Sequence, residues 1–292
     1  MSDRKTWIML MPALLVIVAF FIAPLVYSFL LSLNFFSITS NTTVGFQAYA
    51  SILGSKSFID SLAFSLTIAA VSTVVSIAVA IVVSMALRRT FIGRKLALFV
   101  YQFNIPVPHL VVAISVLLLL SQTGLVSRML FALGIISAPS DFPMIVFDQS
   151  GLGIIIAFVL KFFPFIGIAV LSLLLTTIDD YEMQAATLGA GPLRRFVYVL
   201  LPMMMPSILF SSILVFAYAF GSYEVPFLLG STYPKALSIL SYQEFTDIDL
   251  NSRPQALAIA NMITLVVVAM VILAYMQLNA MNRMGVRKDG EA

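Results

Sequence analysis

Six long apolar runs separated by shorter polar stretches dominate the chain: about Trp7 to Leu33, Ser61 to Leu87, Leu96 to Ser121, Leu152 to Thr177, Met203 to Leu229 and Ala256 to Leu278. Each is long enough to cross about 30 Å of hydrocarbon as a helix of about 20 residues. The runs are continuous and lack the alternation of barrel strands. Because lipid offers no partner to a backbone N–H or C=O, they predict transmembrane α-helices.

Composition agrees with this pattern. With 61% apolar and 10% charged residues, the chain has too little polar surface for a layered domain in water, so the bilayer is its solvent. Arg4 and Lys5 ahead of the first run give it the flank of a signal peptide, but a cleavable apolar core spans only about 7 to 15 residues. The longer run here is read as a retained helix. The absence of Cys removes disulfides and thiolate metal sites from the argument.

Charge sets an orientation. Arg4, Lys5, Arg88, Arg89, Arg94, Lys95, Arg194, Arg195, Arg283, Arg287 and Lys288 fall on one side, against Lys56, Arg128, Lys235 and Arg253 on the other. The basic excess marks the cytoplasmic side and places both termini there. The same bias accounts for the net charge of +3, so no nucleic-acid partner is implied.

Several polar groups fall inside or beside the runs. Lys161 lies roughly 16 Å from the outer end of its helix at 1.5 Å per residue, near the midplane. An intramembrane charge faces the bundle interior or a wet cavity and has a partner, which for Lys161 is either the solute or an acid on another subunit. Tyr223, Glu224 and Asn261, with Gln102 and Asn104, are candidate solute contacts or helix-to-helix hydrogen bonds. Pro106 and Pro108 disturb the third run, either as a packing kink or as a kink in a solute path. The sole His, His109, has no partner His or Cys for a metal and reads as a packed residue.

Between the fourth and fifth runs, Asp179 and Glu182 make a capping pair that starts a short helix. Gly189 suits the left-handed turn that ends it. Pro192 fits the first turn of a second short helix, and Pro202 and Pro206 mark re-entry into the membrane. The product is a compact helix–Gly–helix elbow.

That segment resembles the cytoplasmic coupling (EAA) loop of permease subunits of binding-protein-dependent ABC importers. The family pattern is Glu-Ala-Ala, three residues, Gly, nine residues, then Ile-x-Leu-Pro. Gly189 and Val199-Leu200-Leu201-Pro202 hold the spacing, and the Leu188-Gly189-Ala190 core is retained. The front half departs: six places before Gly189 stands Met183, the nearest acid is Glu182, and only Ala185 matches the Ala pair. Gly45 to Tyr49 resembles the family's Gly-x-x-x-Tyr after the first helix, and Leu125 to Leu130 its short outer-face helix.

The resemblance implies an all-α, MetI-like, type I importer permease, one transmembrane domain over residues 1–292, in a bacterial cytoplasmic (inner) membrane. It assigns Glu182, Ala185, Leu188, Gly189, Ala190, Arg194, Arg195 and Pro202, in the loop of about 179–202, to contact with a separate ATP-binding subunit dimer. It further implies a second permease subunit and an extracytoplasmic substrate-binding protein. Glu244, Asp247 and Asp249, in the outward polar stretch Ser231 to Pro254, are candidates for docking that protein. This chain holds no Gly-x-x-x-x-Gly-Lys-Ser/Thr loop, so ATP and Mg fall to the partner ATPase.

Tyr223-Glu224-Val225-Pro226-Phe227-Leu228-Leu229-Gly230 is similar to spermidine/putrescine-type permeases and their iron, sulfate and phosphonate relatives. The rivals are an intramembrane enzyme, which needs a nucleophile–base pair, carboxylate dyad or metal set at membrane depth, and a channel, which needs a filter. Asn41-Thr42-Thr43 is formally a glycosylation acceptor.

Overall fold

The computed structural model describes residues 3–36, 44–89, 91–176 and 178–289. The helices in chain order are α1 (Asp3–Ile17), α2 (Ala23–Ser32), α3 (Gln47–Leu53), α4 (Lys56–Leu87), α5 (Arg94–Phe103), α6 (His109–Leu120), α7 (Leu125–Ala132), α8 (Leu152–Thr176), α9 (Ile178–Thr187), α10 (Pro192–Arg195), α11 (Leu201–Gly221), α12 (Glu224–Leu229), α13 (Leu237–Thr246) and α14 (Arg253–Asp289). Among the described residues six stretches are long and apolar enough to cross a membrane: Met9–Ser32, Lys56–Leu87, His109–Ala132, Leu152–Leu175, Pro192–Gly221 and Leu250–Gln277.

Prolines account for the irregularities within these spans. A π turn, Val18–Ile22, joins α1 to α2 and ends two residues before Pro24; another, Phe196–Leu200, joins α10 to α11 and ends two residues before Pro202. A ring in mid-helix removes a donor and crowds the carbonyl four residues back, and the widened turn relieves both. The second short helix of the elbow therefore runs on into the fifth crossing. Pro202 and Pro206 lie in the first two turns of α11.

The third apolar run is two helices, not one. Pro106 and Pro108 remove donors two residues apart, so the ladder fails over Asn104–Pro108, between α5 and α6. The fifth run likewise breaks at Ser222, before α12.

Polar stretches between the crossings hold helices. The stretch between the first and second crossings contains α3, and the one after Ser231 contains α13. Asn41-Thr42-Thr43 and Thr177 lie outside the described residues, as does the Asp179 side chain of the expected capping pair.

The chain divides into two compact units, residues 1–62 with 237–266, and residues 63–236 with 267–292. In the first, Asn261 is a hydrogen-bond hub: Ser28 Oγ donates to its Oδ1, and its Nδ2 donates to Ser32 Oγ and to Tyr49 Oη, each at 3.2 Å. Tyr49, the Tyr of the Gly45–Tyr49 stretch, thus fastens α3 to α2 and α14. Ser241 Oγ donates to Ala256 O at 2.9 Å, tying α13 to α14.

In the second unit α4 buries a stripe of small residues, Ser65, Ala69, Ser72, Ser76, Ala80 and Ser84, that lets backbones approach. Around Tyr101 and Leu171 this becomes a close seam. Ser84 Oγ donates to Gly167 O at 2.9 Å and Tyr101 Oη to Phe163 O at 3.2 Å, joining α4 and α5 to α8.

Candidate functional site

The elbow forms as its residues dictate. α9 ends in a left-handed Gly189 with φ of +82°. Ala190 N–H donates to Ala185 O and Gly189 N–H to Ala186 O, each at 3.0 Å, the paired bonds of a Schellman C-cap. Gly191 then enters α10 extended, with Pro192 in its first turn, where a missing N–H costs nothing.

Large apolar side chains stand bare on the elbow among exposed polar ones. Met183 is 64% exposed, Leu188 88% and Leu193 76%. Ala185 is half-buried, Ala190 half-buried and Arg194 exposed, while Pro202 lies exposed in the first turn of α11.

Glu182 is held within the subunit. Arg88, just beyond the end of α4, donates to its Oε2, and Arg195 Nη1 lies 3.5 Å from its Oε1. Sequence reasoning placed Glu182 and Arg195 in the loop but not Arg88, which is 94 residues distant from Glu182 and carries no local signal.

Deeper in the same unit, Lys161 meets the broken third run. The residue is 7% exposed, and Nζ donates to Asn104 O at 2.9 Å, to Ile105 O at 2.8 Å and to Val107 O. Three acceptors require three donors, which only the ammonium form has. The Asn104 carbonyl is the one whose i+4 partner would be Pro108, which has no N–H.

The stitch also runs in reverse. Pro164 deprives Leu160 O of its helical donor, and Asn104 Nδ2 supplies one at 2.5 Å. The partner of Lys161 within this chain is thus backbone, a third option beside solute and foreign acid.

A cavity of about 420 Å³ opens beside this break, lined by Pro106, His109, Lys161, Phe162, Phe165 and Tyr218 among others. His109 stacks on Tyr218 with centroids 4.1 Å apart, and Phe162 meets both rings at 5.6 Å. Among the described residues no group of His, Cys, Asp and Glu suited to a metal ion occurs.

The other candidates lie apart. Tyr223 stacks on Phe227 at 5.2 Å, and Glu224 is exposed at the start of α12. Asn261 belongs to the first unit, as do Glu244, Asp247 and Asp249. Asp249 Oδ1 accepts from Asn251 N–H and Asp247 Oδ1 from Asp249 N–H, so both shape the turn between α13 and α14.

Six membrane-crossing stretches, a pinned break just ahead of the third and a Gly-capped elbow between the fourth and fifth define a multi-pass membrane protein of transporter architecture. The chain belongs to the family of binding-protein-dependent transport system inner membrane components, which matches residues 78–283.

Among curated relatives, it is 26% identical over 195 residues to the spermidine/putrescine transport system permease protein PotC homolog of Mycoplasma genitalium, covering 66% of this chain and 62% of that one. The inner membrane ABC transporter permease protein YdcU of Escherichia coli is 29% identical, over 57% of this chain and 56% of its own. These matches span about three-fifths of each relative. The trehalose transport system permease protein SugA of Mycobacterium tuberculosis is 28% identical over 83% of this chain and 79% of its own.

The fold is also that of a chain of a bacterial alginate ABC transporter, solved in complex with an alginate pentasaccharide-bound periplasmic protein. That likeness has a TM-score of 0.74 at 19% identity, covering 93% of both chains.

Proposed function

We propose that this chain is a transmembrane permease subunit of a type I ABC importer in a bacterial inner membrane, with both termini cytoplasmic. The observation that carries the reading is the elbow: a rigid, Gly-capped turn with a bare apolar tip at Met183, Leu188 and Leu193, on the segment that resembles a coupling loop. A stiff knob transmits the motion of an attached motor, whereas a floppy loop absorbs it. A separate ATPase dimer binds ATP and Mg and seats this knob, a second permease completes the path, and a soluble protein delivers the solute to the outer face carrying Glu244, Asp247 and Asp249.

The solute is small and polar. The relatives carry names for spermidine/putrescine, trehalose, sulfate and molybdenum transport, and the Tyr223–Gly230 stretch inclines the choice toward a polyamine. The path runs by the cavity beside the break ahead of the third crossing and past Tyr223 and Glu224. Lys161 spends its three donors on carbonyls and so acts on the path through its shape.

The test is affinity purification of this chain from its host membrane. Recovery of an ATPase and a second permease supports the reading; recovery of the chain as a lone oligomer with ion conductance would replace it with a channel. Binding of putrescine, spermidine, trehalose and sulfate to the purified binding protein then names the solute.

A further inference from the structure

We infer that Glu182 is a positioning residue inside the subunit: its carboxylate ties the coupling elbow to the inner end of the second crossing through Arg88, so that a stroke received at the elbow moves α4. The inference rests on the elbow meeting the ATPase, as proposed above, and adds where the force goes next.

The geometry separates two faces of α9. Both oxygens of Glu182 are engaged by arginines from other elements, Arg88 beyond α4 and Arg195 on α10, and the side chain is 17% exposed. Its neighbour Met183 is 64% exposed and, with Leu188 and Leu193, makes the bare tip.

One residue along a helix turns about 100°, so moving the acid one place ahead of the family position turns it from the tip toward α4. A partner seated on the tip meets methionine and leucine, and the carboxylate grips the crossing behind it.

The end of α4 is held a second time. Arg94 Nε, in the first turn of α5, donates to Leu87 O at 2.8 Å. Elbow, α4 and α5 are thus joined by side-chain bonds, and α5 leads directly to the break that Lys161 pins beside the cavity. A partly buried, charge-assisted network of this kind acts as a unit, and a double-mutant cycle measures whether it does.

The experiment uses the assembled transporter in proteoliposomes, with binding protein isolated carrying its natural ligand. ATPase recovered per copy of this chain and ATP hydrolysis are both measured for Glu182→Gln, Arg88→Gln and the double variant. The expected result is unchanged ATPase recovery, a several-fold fall in stimulated hydrolysis in either single variant, and no further fall in the double.

Loss of ATPase recovery in Glu182→Gln but not in Arg88→Gln would show that the carboxylate itself meets the ATPase and overturn the inference. Multiplying effects in the double variant would do the same.

A second arm uses the Cys-free chain. Arg88→Cys with Glu182→Cys, bridged by a short reducible bis-thiol reagent, is expected to regain stimulation and lose it on reduction; bridging that abolishes hydrolysis would show that the two elements part during the cycle and overturn the inference. Leu188→Asp is the control for the parent reading. It is expected to lose the ATPase, and full recovery would overturn both.

Discussion

The hydroxyl of Tyr101 lies 1.6 Å from the point that a Cβ on Gly167 would occupy, with Ser84 Oγ 3.0 Å from the same point. Three helices, α4, α5 and α8, converge on this glycine, and the backbone of α8 is close enough to accept bonds from both side chains. Gly167→Ala is therefore expected to lower thermal stability in detergent by about 1–3 kcal/mol, the usual cost of overpacking. Tyr101→Phe removes the nearest atom and is expected to restore part of that loss. A Gly167→Ala protein that melts with the wild type would show that the seam does not need a glycine there.

Lys161→Met keeps the length of the side chain and removes its donors. The Asn104, Ile105 and Val107 carbonyls lose a shared charged partner in apolar surroundings, at about 1–3 kcal/mol per buried group left unsatisfied. Subunit recovery and uptake are expected to fall together. Full recovery of the complex with uptake abolished would instead make Lys161 a solute contact.

From the charge bias, the Arg194–Arg195 segment and both termini are expected to be cytoplasmic. A Cys placed at Arg194 is expected to resist an impermeant thiol reagent added to intact cells and to react in inverted vesicles. Labelling from outside would reverse the topology and detach the elbow from any cytoplasmic ATPase.

Much of this architecture is legible because its causes are local. Length and apolarity give the six crossings, although the third runs over His109–Ala132 and not Leu96 to Ser121, and the Gly189–Pro192 pair gives the elbow its cap and restart. The missed features depend on residues far apart in sequence. Pro106 and Pro108 read as kinks, and only Lys161, more than fifty residues away, turns the kink into a stable break by taking its carbonyls.

Glu182 shows the same limit, since its role depends on Arg88, ninety-four positions earlier. The outward stretch after Ser231 was read by its polarity, although Leu237, Ile239 and Leu240 bury one side of α13. Asn261 reads in sequence as solute contact or helix fastener, and its amide bonds Ser28, Ser32 and Tyr49.

Gly189→Val is expected to uncouple ATP hydrolysis from uptake while leaving the subunit inserted in the membrane. No heavy atom lies within 4 Å of a Cβ built on Gly189, so a side chain there meets no neighbour and the whole cost lies in the backbone. Its φ of +82° is a conformation that L residues adopt at about 1–2 kcal/mol, with Asn favoured over Ala and a β-branched residue worst. The expected order of retained coupling is therefore Gly189→Asn, then Gly189→Ala, then Gly189→Val, where loss of the Schellman bonds to Ala185 and Ala186 re-aims α10 and moves the Leu188–Leu193 tip off its seat. ATPase recovery and stimulated hydrolysis are the quantities to follow across the three variants. Equal, wild-type values in all of them would mean that the turn at Gly189 does not set the coupling geometry, and the case for the elbow as the transmission element would fall with it.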